Sequence, residues 1–219
     1  MGSGQRLPTE PVRAAATVIL WRNAPQGAEV LMGQRGAAAV FMPSKFVFPG
    51  GAVDPGDGPE GGPEGVTLRP EAGYLADECV RRLTLLVPDP APSPTALLAA
   101  ARRELAEETG LVLGPGLANP SLRFVFRAIT PPGRSRRFDA RFFLAKAEAL
   151  QNDPEDFSAA SAELSHLSWV TLAAARALDL PFITEVVLAE VAALAAGGDQ
   201  PGVPFFDNSG PTPRFRRIV

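Results

Sequence analysis

Three glutamates, Glu104, Glu107 and Glu108, are the residues whose type and spacing could do chemistry in this chain. On a helix, positions i, i+3 and i+4 share one face about one turn deep, so the three carboxylates stand side by side. Like charges this close repel. A face that carries them is either bathed in water, the commoner outcome for a generic acidic trio, or holds a cation. Clustered carboxylate oxygens are what Mg²⁺ or Mn²⁺ accept while keeping waters and engaging phosphate.

The helix that would present them is well marked. Ser93 can cap its N-terminus, Pro94 is tolerated at the first helical position, and Gly110 supplies the left-handed stop, which predicts a helix over Pro94 to Thr109. Upstream, Arg13 to Trp21 and Glu29 to Gln34 read as strands joined by a loop through Asn23 to Gly27, and Phe46-Val47-Phe48 reads as a third strand. That strand stops at Pro49-Gly50-Gly51, where two glycines permit something to approach the backbone closely. The stretch from Asp54 to Gly65 is too rich in Gly and Pro for regular structure, and a short amphipathic helix over Ala72 to Leu83 follows it. Downstream, Arg123 to Thr130, Arg137 to Ala145 and His166 to Val170 read as strands. Helices are expected over Thr171 to Leu178 and Phe182 to Ala196. The apolar stripe of the last helix suits either a core or a dimer interface, so a monomer and a homodimer both stay open. Residues 199–219, with four prolines, are expected to form an irregular tail.

Composition narrows the function classes. At 219 residues the chain fits one domain, and 46% hydrophobic with 21% charged residues leaves enough apolar surface for a core. A net charge of −3 supplies no basic excess for releasing counterions from a duplex, which argues against nucleic acid as partner. One cysteine, Cys79, and one histidine, His166, exclude an internal disulfide framework and any multi-cysteine or multi-histidine metal site. A reducing, cytoplasmic setting is expected, and no run of 18 apolar residues suggests a membrane span. Acid, base and metal work therefore falls to carboxylates. His166 and Trp169 are expected to be structural, and Cys79 to be a small buried residue.

The string Arg103-Glu104-Leu105-Ala106-Glu107-Glu108-Thr109-Gly110-Leu111 matches the second half of the Nudix box, Arg-Glu-aliphatic-any-Glu-Glu-any-Gly-aliphatic, at every specified position. The first half resembles Gly51 to Asp57, with Asp57 where the family has Glu, one methylene shorter in reach. Between Asp57 and Arg103 the family usually has seven residues, whereas residues 58–102 intervene here; the extra length is assigned to an insertion at 58–94, either a lid over the substrate or peripheral packing. The split box, Phe41-Met42-Pro43, Phe46 to Gly51, Thr130-Pro131-Pro132 and Arg137 to Phe143 resemble the Nudix branch that contains the peroxisomal coenzyme A diphosphatase of mammals and its bacterial relatives. The C-terminal Arg217-Ile218-Val219 does not look like a peroxisomal address.

The resemblance implies one α/β domain over residues 1–219, a mixed β-sheet sandwiched between helices with the insertion inside the box. It implies an enzyme that uses Mg²⁺ or Mn²⁺ to hydrolyse a small-molecule nucleoside diphosphate derivative. Glu104 and Glu108, with Glu107, would bind the metal; Glu107, Glu163 as general base and Arg103 as orienting cation would serve catalysis. Arg35, Gly50, Gly51 and Arg137 would bind substrate. Coenzyme A or acyl-coenzyme A is the expected substrate, giving 3′,5′-ADP and (acyl-)4′-phosphopantetheine, and its 3′-phosphate would select arginine, for which Arg35, Arg136, Arg137 and Arg141 are candidates. ADP-ribose or a nucleotide sugar is the alternative substrate, and a non-catalytic nucleotide sensor is the alternative class. The retained glutamates favour catalysis.

Overall fold

The computed structural model describes residues 10–57 and 72–219. Among these, nine strands form one mixed sheet. They are β1 (Val12–Ala24), β2 (Gly27–Arg35), β3 (Phe46–Val47), β4 (Gly50–Ala52), β5 (Leu122–Ile129), β6 (Arg137–Lys146), β7 (Leu164–Thr171), β8 (Val203–Asp207) and β9 (Arg214–Ile218). The order is β3-β2-β1-β6-β5-β8-β9, with β4 also paired to β1 and β7 to β2. Four α-helices flank them: α1 (Asp77–Leu83), α2 (Pro94–Thr109), α3 (Leu172–Ala175) and α4 (Phe182–Ala195). This is the α/β sandwich that the sequence predicts.

The alternation of a strand explains the two layers. Along β1, Ala16, Val18 and Leu20 point to one face and Ile19 to the other. On the first face they meet Leu97, Leu98, Ala101 and Leu105 of α2 together with Phe124 and Phe143. On the second, Val187, Leu188 and Val191 of α4 cover Ile19, Val30, Met32 and Phe142. The long parallel register of β1 with β6, from Val12↔Arg137 to Trp21↔Lys146, is the spine of the sheet.

Helix α2 has the predicted ends. Ser93 Oγ accepts from Ala96 N–H at 3.1 Å, and Gly110 closes the helix at φ 75° with its N–H on the Ala106 carbonyl. The expected loop between the first two strands is instead a tight turn, because β1 and β2 keep pairing to Ala24↔Gly27 and only Pro25 and Gln26 connect them.

Two further expectations need correction. The C-terminal residues are not irregular: β8 enters parallel to β5 and β9 folds back on it antiparallel. Pro211 and Pro213 lie in the connection, while Val203, Phe205 and Ile218 are buried, so the gain from burying these side chains outweighs the proline content. Of the insertion, residues 58–71 lie outside the described residues. The remainder is not a lid but part of the core, since Tyr74, Leu75, Cys79 and Leu83 are buried in the α2 layer, and the carbonyls of Leu85 and Leu86 accept from buried Arg127. Cys79 is buried as expected, Trp169 packs partly buried against the same layer, and His166 stands exposed in β7 with a left-handed φ of 53°.

If the C-terminal hairpin completes the core, Phe205→Ala should lower the unfolding free energy by about 3–5 kcal/mol in a urea titration. A loss below about 1 kcal/mol would show the hairpin to be an appendage.

Candidate active site

The buried stripe of α2 runs Leu97, Leu98, Ala101, Glu104, Leu105, Glu108, so that Glu104 and Glu108 occupy positions that an ordinary amphipathic helix would fill with apolar residues. Glu108 is 1% exposed and Glu104 9%. Glu163, exposed and immediately before β7, comes in from the other side, and one carboxylate oxygen from each of Glu104, Glu108 and Glu163 lies within 4.8 Å of the others. Glu107 is not part of this convergence. Consecutive residues on a helix point about 100° apart, and Glu107 turns outward, where its Oε2 accepts from Arg103 Nη1 at 3.1 Å.

Strand β4 delivers the backbone against these acids. The Gly50 N–H donates to Glu108 Oε2 at 2.7 Å. A Cβ on Gly51 would lie 2.3 Å from Glu104 Oε1, and one on Gly50 would lie 2.5 Å from the Ala16 carbonyl oxygen, so neither position admits a side chain. Both glycines were expected to offer backbone to substrate. The structure corrects this, because they seat the carboxylates of α2 against the sheet.

Arg103 ties the two halves of the box together. Its Nε and Nη2 bind the two oxygens of Asp57 at 3.0 and 2.8 Å, Nη1 reaches Glu104 Oε1 at 2.9 Å, and Nη2 also donates to the Ala52 carbonyl at 3.1 Å. The missing methylene of Asp57 is made up by the short turn Pro55–Asp57, in which its carboxylate also accepts from Asp54 N–H at 2.8 Å. Hydrogen bonding from Arg103 holds the Asp57 carboxyl below the usual carboxylate range, and the same bond, with Glu104 beside it, holds the guanidinium firmly protonated.

The two buried glutamates behave oppositely. Burial pushes Glu108 up to about 8 despite the Gly50 hydrogen bond and nearby Arg35, with Glu104 and Glu163 adding repulsion. Burial also raises Glu104, against the pull of Arg103. These acids are short of positive charge, and a divalent cation with hard-oxygen preference fits the all-oxygen donor set. Arg35, at the end of β2, pairs in register with Leu164 next to Glu163, and its buried Nε has no hydrogen-bond partner. A cation with an unspent donor therefore faces the acid cluster.

Arg137 and Arg141 are elsewhere. Arg137 is buried and donates to the carbonyls of Thr130 and Asn208, while Arg141 is buried on Asp139, which also binds Arg127. Their expected contact with substrate is corrected: these guanidiniums are built into the sheet. Arg136 remains exposed. Sequence reasoning left open how the loop before Glu163 meets α2: the N–H of Ser161 donates to the Glu107 carbonyl at 2.8 Å. No local signal marks a contact between residues that far apart.

The raised Glu108 and Glu104 predict a definite pH dependence without metal. Between the ordinary carboxylate range and about 8 the folded chain holds more protons than the unfolded chain, so stability is greatest on the acid side and falls as pH rises, at up to about 1.4 kcal/mol per unit for one group. Melting temperatures in EDTA should therefore drop from pH 5 to 8 and level off above, and Glu108→Gln should flatten much of the slope. A wild-type melting temperature that climbs over this interval would contradict the burial of these acids.

The comparisons with known proteins agree with this geometry. The family model described as the NUDIX domain matches residues 92–191, starting one residue before the Ser93 cap of α2. A NUDIX hydrolase from Alicyclobacillus acidocaldarius is 26% identical, with 85% of this chain and 92% of that chain covered at a TM-score of 0.56. An Ap4A hydrolase from C. elegans shares the fold at 20% identity, with coverage of 85% and 99% and a TM-score of 0.50. So does the NUDIX domain of NrtR from Shewanella oneidensis, crystallised with ADP ribose, at 15% identity, coverage of 84% and 89%, and a TM-score of 0.50. The aligned spans reach back beyond the domain match to take in the strands that present Gly50 and Gly51, and with α2 carrying the whole second half of the box, this chain belongs to the Nudix superfamily of hydrolases.

Proposed function

We propose that the chain hydrolyses the diphosphate of coenzyme A or an acyl-coenzyme A to 3′,5′-ADP and (acyl-)4′-phosphopantetheine with Mg²⁺ or Mn²⁺. The observation that carries the hydrolytic reading is the convergence of Glu104, Glu108 and Glu163 from two elements onto one point. The branch rests on the split box and the Phe41 to Gly51 string. A bound divalent cation supplies neutralisation of the diphosphate and a bound water of lowered pKa. Glu104 and Glu108 hold it. Glu163, the exposed member, adds charge to that hold and accepts the proton of the attacking water. Arg103 keeps Glu104 ionised and oriented through its fork on Asp57. Arg35 turns its free donor to the diphosphate, and exposed Arg136 is the further candidate for the 3′-phosphate. Glu107 serves by holding Arg103 rather than as a ligand.

Among the described residues no helix is long and apolar enough to cross a membrane, in keeping with a small-molecule substrate. We place the enzyme in the cytoplasm on the absence of a peroxisomal address in its C-terminal residues.

The test is an assay with Mg²⁺ or Mn²⁺ against coenzyme A, dephospho-coenzyme A, ADP-ribose, nucleotide sugars and dinucleoside polyphosphates, with monophosphate release as readout. Coenzyme A species should lead, with dephospho-coenzyme A slower for want of its 3′-phosphate. A tenfold or greater preference in kcat/KM for ADP-ribose or a nucleotide sugar, roughly 1.4 kcal/mol in transition-state binding, would move the chain to another branch. Glu108→Gln should lower turnover by about 10² to 10⁴ while the fold survives, and wild-type rates in that variant would remove the metal from the reaction.

A further inference from the structure

The segment that carries Glu163 does not hang free between η-turn and strand; it serves as the C-terminal cap of the helix that carries Glu104 and Glu108. The last carbonyls of a helix lack intrahelical donors. In this protein the Glu107 carbonyl receives the N–H of Ser161, and the Gly110 carbonyl just past the helix receives the side-chain amide of Asn152 at 2.9 Å. The same Asn152 side chain accepts from the Val112 N–H at 2.9 Å, and the N–H of Gln151 donates to the Val112 carbonyl at 2.8 Å. The close fit continues at Gly110, where a Cβ would lie 3.1 Å from that of Ala159. Residues 151–163 are thus bracketed onto the end of α2 at both their start and their finish, and Glu163 follows directly.

We propose that Asn152 is a positioning residue for the divalent-cation site: by clamping residues 110–112 from both sides with one amide, it fixes how far Glu163 stands from Glu104 and Glu108. The inference rests on the metal-dependent reading above. Residues that orient ligands in this way typically alter metal affinity by 10–100-fold when removed. Asn152 touches no reacting group, so its effect must pass through Glu163.

A double-mutant cycle on Mn²⁺ affinity, read from the electron paramagnetic resonance signal of free Mn²⁺, separates this role from general loosening. Asn152→Ala should weaken Mn²⁺ binding about tenfold or more, and the same substitution in a Glu163→Gln background should change affinity by less than about twofold. Equal affinity of wild type and Asn152→Ala, or an equal loss in both backgrounds, would overturn the positioning role while leaving the metal site intact. Failure of the wild type to bind Mn²⁺ would overturn the metal reading itself. Should Asn152→Ala not fold, Asn152→Asp carries the same cycle, because it keeps the acceptor for Val112 and loses only the donor to Gly110.

Discussion

Two carboxylates on the core-facing stripe of a helix set the terms for the rest of this protein. Burying a charge without a partner is costly enough that the group protonates or the structure supplies compensation, and here the compensation is partial. Glu104 has Arg103, whereas Glu108 has only a backbone N–H and the more distant Arg35. The site is electrostatically unfinished when only protein groups are counted, and that incompleteness is what makes it a cation receptor.

The supporting features follow from that constraint. Helix α2 must approach β4 closely enough for the Gly50 N–H to reach Glu108, which excludes a side chain at Gly51. Arg103 must stay charged and oriented, which explains the fork on buried Asp57 and the outward turn of Glu107. Arg35 is placed by β2 pairing with β7, so the strand that brings Glu163 also brings the cation beside it. Packing of α2 on β1 and β4 therefore does two jobs at once, closing the core and aligning the acids.

What was legible in the sequence was local. Ser93, Pro94 and Gly110 define α2 through contacts within a turn, and the box string identifies the chemistry. Helical spacing, however, indicates only that Glu104, Glu107 and Glu108 are neighbours. It does not tell which way each turns, so Glu107 was expected where Glu163 stands. The β8–β9 hairpin was hidden because Pro201, Pro204, Pro211 and Pro213 mask the alternation of Val203 and Phe205, and its partner β5 is distant in sequence. Arg137 and Arg141 looked available for phosphate because sequence records their charge but not the carbonyls and the Asp139 carboxylate that already consume it.

The fork between Arg103 and Asp57 has a consequence for how this scaffold can vary. It acts as a clasp at the neck of the long connection, joining its first flanking residue to its last. Once the neck is fastened, contour length matters little: by loop-closure entropy, lengthening a wholly flexible connection from seven residues to the 45 found between Asp57 and Arg103 costs only about 1.6 kcal/mol. The catalytic acids on one side and the glycine strand on the other keep their spacing whatever is spliced between them. Chemistry and accessory surface are thereby uncoupled, and new sequence can be trialled at this neck without renegotiating the geometry of the acids.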